Sequence, residues 1–214
     1  SHELRTPLTV LAGYLELFED DAELPEHLMP AVQQARAQAD RMQRIISDML
    51  SLSKLENDEQ RRMIETDIDV PELLDDIAVS LSDTLAADSH TLSLNLNREL
   101  HLLGHEPDLL SVITNLTDNA IRHTPADTHI QINWQLNTNG QACLSVEDNG
   151  PGIDESQIPT LFQPFTQGDI ARGSVGSGLG LAIIKRIIDR HQGQITLSNR
   201  AAGGLKAQVW LPLE

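Results

Sequence analysis

The sequence predicts an α+β chain of two domains: a helical hairpin that forms a dimeric four-helix bundle, then an α/β sandwich with a mixed, mainly antiparallel sheet. Three observations predict this. Apolar residues recur every three or four positions through the N-terminal quarter, the mark of helices with a continuous seam. From Thr91 onward, short runs alternate apolar and polar residues with a period of two, the mark of half-buried strands. Longer stretches of helical period at 107–123 and 179–191 lie between and after those runs. The polar run "ENDEQRR" separates the two patterns and sets the domains at 1–65 and 66–214.

In the first helix the seam reads Leu4, Leu8, Leu11, Leu15 and Phe18, and it ends near Asp20. A short acidic connection with Pro25 and Pro30 follows. The second seam, Leu28, Val32, Ala35, Ala39, Met42, Ile46 and Met49, runs to about Glu56. Two such helices make a hairpin too small to bury both stripes alone, so a second copy is expected to complete the bundle as a homodimer. Pro71 opens an amphipathic helix carrying Leu73, Leu74, Ile77 and Leu81. "TLSLNLN" and "HLLG" read as strands. "HIQINWQL" and "ACLSVED" read as a hairpin through "NTNG", and "GQITLSN" and "KAQVWLPL" as a final pair turning at Gly203 and Gly204.

Composition narrows the function classes. The 214 residues carry 15 basic and 32 acidic side chains, a formal net charge of -17, with no basic block to hold a phosphate backbone, so no nucleic-acid partner is expected. The one cysteine, Cys143, lies in an alternating strand run and reads as a buried, inert thiol in a reducing compartment. The eight histidines are scattered without ligand spacing, so zinc is not expected. No window approaches the roughly 20 apolar residues of a membrane span. A start inside the helical pattern, without a methionine, implies a fragment whose missing upstream part would supply any membrane attachment.

Three clusters could carry chemistry. "NLTDNAIRHTP" spaces Asn115 and Asn119 one helical turn apart, so two carboxamides share a face; they would suit a hard cation such as Mg²⁺, or serve packing and capping. In "EDNGPGI" a strand runs out into Asp148, Gly150 and Gly152, which reads as an ordinary turn or as a flat ligand's edge with a carboxylate acceptor. "GSVGSGLGLAI" places glycines before and into a helix start, either as a flexible linker or as amides for phosphate oxygens. Its spacing fits neither the dinucleotide fingerprint nor the Walker motif.

Taken in order with "SHELRTPL" and "LFQPF", these clusters resemble the catalytic core of bacterial sensor histidine kinases over essentially the whole chain. "SHELRTPLTVLAGYLE" and "HTPADTHI" are similar to the phosphate-regulon sensor subgroup. The resemblance implies a dimerisation and phosphotransfer hairpin, followed by an ATP-binding domain of the gyrase, heat-shock-chaperone and mismatch-repair ATPase fold.

The same resemblance assigns roles. His2 is the phosphoacceptor, and with Leu4 and Leu11 as d positions it falls at b, away from the seam. Glu3 matches the acidic neighbour that fixes the imidazole tautomer. Pro7 removes a helical N–H and bends the helix beside His2, a disruption worth about 3 kcal/mol in a helix interior. Thr6 matches the residue that orients water for dephosphorylating the partner regulator. Asn119 and Asn115 fall to Mg²⁺, with Arg122 and His123 near the phosphates, where family members more often carry lysine and an aromatic. Asp148 matches the adenine-amine acceptor, and Gly150 and Gly152 shape its pocket. Phe162 and Phe165 match the phenylalanine box beside a lid, with Gln167 where relatives have a basic residue and Arg172 as its substitute. Gly176, Gly178 and Gly180 match the second glycine box.

The implied function is ATP-dependent autophosphorylation of His2 with Mg²⁺, transfer to an aspartate of a response regulator, and phosphatase activity on that regulator. The chain would be the cytoplasmic portion of an inner-membrane sensor. Two other readings are an ATP-hydrolysing conformational switch of the same fold and a non-catalytic scaffold that docks a regulator. The position of His2 outside the seam disfavours the first, and the intact Asn119, Asp148 and glycine boxes disfavour the second.

Overall fold

In the computed structural model the described residues are 2–19, 24–57, 65–166 and 176–213, excepting the side chains of 2–5, 26 and 57. Helices α1 (His2–Glu19) and α2 (Met29–Asn57) form the hairpin, joined at a 3₁₀ turn, Glu26–Leu28. Pro7 lies inside α1. The helices run antiparallel, with Arg36 on α2 paired to Glu19 at 2.8 Å and Gln43 donating to Thr9 at 3.2 Å. The heptad seam is only partly covered in one chain. Ala39 is buried, but Leu11, Tyr14, Leu17, Phe18, Met42 and Met49 remain more than 40% exposed. Half a bundle has this surface, because each helix buries one side against its neighbour and leaves the other apolar side open.

The second unit is α+β, with helices packed on one face of a five-stranded sheet. Its elements are β1 (Thr66–Ile68), α3 (Val70–Ser80), α4 (Ser82–Ala87), β2 (Thr91–Leu96), β3 (Leu102–Gly104), α5 (Glu106–Arg122), β4 (His129–Leu136), β5 (Ala142–Asp148), α6 (Ile158–Leu161), α7 (Gly180–Arg190), β6 (Gln194–Asn199) and β7 (Leu205–Leu211). The sheet order is β2-β4-β5-β7-β6, with β2 parallel to β4 and every other neighbour antiparallel. β1 and β3 pair separately. β1, α4 and α6 have no counterpart in the sequence reading, because a three-residue strand and helices of six and four residues are too short to show a period.

Alternation along β4 and β5 decides which side chains meet the helices. Ile130, Ile132 and Trp134 are fully buried and stand opposite Asp148, Val146 and Leu144. The intervening residues, Gln131, Asn133 and Gln135, form a hydrogen-bonded polar layer on the outer face with Asn95 and Ser145. Trp134 satisfies its indole N–H on the Leu100 carbonyl at 2.8 Å, as a buried polar atom must. Helices α5 and α7 bury Leu109, Val112, Ile113 and Leu116 and Ile183, Ile184, Ile187 and Ile188 against the sheet. At the start of α3, Asp69 caps the Glu72 amide at 3.0 Å, with Pro71 in the first turn.

Candidate functional site

Asp148 is the last residue of β5 and shares the parity of Ala142, Leu144 and Val146, so the strand carries its carboxylate to the helix side, where it is 6% exposed. There Oδ1 accepts from the Gly150 amide at 2.8 Å and the Leu205 amide at 3.1 Å. Asn149 returns to the sheet by accepting from the His129 amide at 2.7 Å. The loop beyond is held by Asn199, at the end of β6, which accepts from the Ile153 amide at 2.9 Å and donates to the Ile153 carbonyl at 2.8 Å. Arg200 adds a bond to the Asp148 carbonyl. Sequence reading had passed over Asn199 and Arg200. Their only local signal is a polar pair at a strand end before a glycine turn.

The carboxylate opens into a cavity of about 470 Å³, in the range of small-molecule sites. One wall is α5, which presents Asn115, Asp118, Asn119 and Arg122 at helical spacing, with His123 and Thr124 after it. The Asn115 Nδ2 donates to the Ser111 carbonyl at 2.8 Å, which turns its Oδ1 toward Gly180. Any Cβ on Gly180 would stand 2.8 Å from that oxygen, so the bare glycine lets α7 start against α5. Arg122 pairs with Asp118 at 3.2 Å. Burial of part of the His123 ring, reinforced by Arg122, holds its pKa below the ordinary histidine value, which favours the neutral ring.

Gly152, Gly176, Gly178 and Gly180 line the cavity, and Gly150 stands behind it, where a Cβ would strike the Thr124 methyl at 2.8 Å. Gly178 has φ +70° and lies against the Phe165 backbone, itself at φ 63°. Phe162 packs on the core edge and Phe165 is 60% exposed; neither side chain lines the cavity. Gln167, Arg172 and Gly173, and the side chains of His2 and Glu3, lie outside the described residues. Thr6 is exposed on α1. Cys143 is half-buried on the outer face of the sheet, where burial raises its pKa and so disfavours the thiolate.

The remaining wall was not foreseen. Arg44 and Asp48, both on α2 of the hairpin, line the same cavity. The Asp48 carboxylate accepts from the Ser177 hydroxyl at 2.6 Å, and that hydroxyl also accepts from the Leu179 amide at 3.2 Å, just before α7. Burial raises the Asp48 pKa, opposed by the Ser177 bond and by Arg44. Periodicity places both residues on one face of α2 but cannot say which part of the molecule that face meets.

Cavity, carboxylate and glycine-flanked helix starts on a helix-backed sheet define a class. Residues 104–214 match the family model "Histidine kinase-, DNA gyrase B-, and HSP90-like ATPase", and residues 1–58 match "His Kinase A (phospho-acceptor) domain". The chain belongs to the sensor histidine kinases, whose core joins those two domains. Within them it is similar to the phosphate-regulon sensors. It is 39% identical over 93% of its length to the phosphate regulon sensor protein PhoR of Pseudomonas aeruginosa, and 32% identical over 99% to that of Haemophilus influenzae. It spans 45% and 49% of those two proteins, about half of each. All of it superimposes on histidine kinase ThkA, solved in complex with response regulator protein TrrA, with a TM-score of 0.73, 25% identity and 59% of that chain covered.

Two adjacent glycines test how tightly the Asp148 end is built. Gly203 and Gly204 have φ of +93° and +94°. A Cβ on Gly203 meets nothing nearer than a carbonyl at 4.0 Å, whereas one on Gly204 would stand 1.9 Å from the Asp148 carbonyl oxygen. Gly203→Ala is expected to cost only its backbone conformation, about 1–3 kcal/mol. Gly204→Ala should cost more than about 4 kcal/mol. Urea denaturation of the two variants checks this, and equal losses would show that the close approach carries no weight.

Proposed function

We propose that the chain is the phosphotransfer core of a two-component sensor. It binds ATP in the cavity beside Asp148, moves the γ-phosphoryl group to His2, and passes it to an aspartate of a response regulator. The observation that most supports this is the pairing, across one cavity, of the pinned Asp148 carboxylate with the carboxamide face of α5. Asp148 Oδ1 is committed to two backbone amides, and the second oxygen is suited to accept from the adenine amine. The neighbouring amides of Gly176, Gly178 and Gly180 suit phosphate oxygens. The phosphotransfer unit would comprise residues 1–65 and the nucleotide unit 66–214.

The donor set fits Mg²⁺: Asn115 and Asn119 offer neutral hard oxygens on one face, leaving room for water and phosphate ligands. When bound, the ion would neutralise charge building on the phosphoryl oxygens. The chain's own part is mostly positioning. The His2 imidazole nitrogen attacks the γ-phosphorus, the bond to the β–γ bridging oxygen breaks, and ADP leaves. Glu3 holds the tautomer whose free nitrogen attacks.

The open apolar side of α1 and α2 supports a homodimer through the hairpin. Likeness to ThkA, solved with its regulator, supports a receiver-domain partner. Likeness to sensor proteins supports placing this segment on the cytoplasmic side of an inner membrane, attached through an upstream segment; among the described residues no helix is long and apolar enough to cross one. Arg122, His123 and Arg172 are assigned to the phosphate end, with Phe162 and Phe165 as supports for the segment beyond.

With γ-labelled ATP and Mg²⁺, the protein should acquire acid-labile, base-stable label on His2. His2→Gln should abolish that label while nucleotide affinity stays within about twofold; label of equal size on the variant removes the phosphoacceptor assignment.

Asp148→Asn keeps an oxygen for the Gly150 and Leu205 amides, so the loss should fall on the ligand. Removing a charge-assisted bond of about 1.5–3 kcal/mol weakens ATP by roughly 10- to 150-fold, with GTP little changed. Calorimetry giving an unaltered ATP affinity would exclude the adenine role.

Thr6 lies one turn beyond His2 on the same helix face, where its hydroxyl can hold a water in line with a docked phosphoaspartate. Thr6→Ala should slow dephosphorylation of a matched phosphorylated regulator at least about tenfold, the scale of one lost hydrogen bond, and reduce histidine labelling only modestly. A wild-type dephosphorylation rate would leave the protein a kinase alone.

A further inference from the structure

We propose that Arg44, on the hairpin helix α2, completes the phosphate subsite of the nucleotide cavity and discriminates ATP from ADP. This rests on the nucleotide reading of that cavity. The contact that makes it possible is Asp48 with Ser177, at 2.6 Å, which seats one face of α2 against the glycine-rich segment leading into α7. Arg44 is one turn before Asp48 and so on that face, and both line the cavity.

Arg44 and Arg122 share this wall with Asp48 and Asp118, whose oxygens are bonded to Ser177 and to Arg122. Among the described residues no carboxylate closes an ion pair with half-buried Arg44, whereas Arg122 beside it holds Asp118 at 3.2 Å. Burial and the repulsion of Arg122 both disfavour the Arg44 charge, and Asp40, Asp118 and Asp48 offset this from a distance. A guanidinium kept partly out of water, next to another guanidinium and facing an open cavity without a direct ion pair, is suited to bind an anion there. In a chain of net charge -17, two adjacent arginines on one cavity wall are suited to a polyphosphate.

Position selects the terminal phosphate. Asp148 fixes the base end of the site on the sheet, whereas Arg44 belongs to the hairpin that carries His2. The phosphate that must leave for the hairpin is the one farthest from the base. A cation supplied by the hairpin therefore meets the γ-phosphate, which ADP lacks.

The test is calorimetry of Mg·ATP and Mg·ADP binding in a His2→Gln background, which blocks turnover. Arg44→Gln should weaken ATP about tenfold and change ADP less than twofold, and Arg44→Lys, which retains the charge and the helix, should recover part of the ATP loss. Far-UV circular dichroism and retained ADP binding show that the variants fold. An unchanged ratio of ATP to ADP affinity in Arg44→Gln overturns the proposal, whether both affinities hold or both fall. Failure of the parent protein to bind either nucleotide overturns the nucleotide reading itself and the proposal with it.

Discussion

The period of two along β5 is the constraint from which the site follows. Ala142, Leu144 and Val146 face the helices because they are apolar, and Asp148 follows them inward because its number has the same parity. A buried carboxylate is tolerable only with partners, and the chain supplies them by bringing the Gly150 and Leu205 amides to one oxygen. That requirement shapes everything around it. The glycine turn at 203–204 must cross close over the Asp148 carbonyl, and Asn199 must clasp Ile153 on the far side of the loop. Core packing thereby sets the position of a functional group, with no separate device for it.

The hairpin and the sheet unit touch along α2, in a contact that mixes apolar and polar side chains. α2 meets the sheet unit through Leu55, which is buried in that unit's hydrophobic cluster with Leu52 packed beside it, and through the Asp48–Ser177 hydrogen bond next to a pair of arginines. Interfaces of this kind between units of one chain are weaker than a core and allow relative motion. The proposed phosphotransfer, with its approach to a histidine and withdrawal for a regulator, would use such a contact.

Much of the fold was legible in the sequence because it is periodic. The seam from Leu8 to Phe18, the alternation in "HIQINWQL" and the helical stripe of Ile183, Ile184, Ile187 and Ile188 each repeat enough times to define a face. β1 and α4 do not, and β1 exists only through its pairing with β3. Of the site, the asparagines on α5 and the carboxylate at the end of β5 were visible as types and spacings, and the structure brings both to one cavity. Arg44, Asp48, Asn199 and Arg200 were invisible. Their roles come from tertiary juxtapositions 46 to 129 residues apart in sequence, which no local period encodes.

The burial of Trp134 has a practical corollary. The chain has two tryptophans and one tyrosine. Trp134 is sealed in the sheet core on β4, Trp210 lies on β7 with β5 between them, and Tyr14 stands on α1 at 60% exposure. The two halves of the molecule thus carry different chromophores. Light at the red edge of aromatic absorption excites the sheet unit alone, so the emission of one intact protein can report the melting of that unit apart from the hairpin.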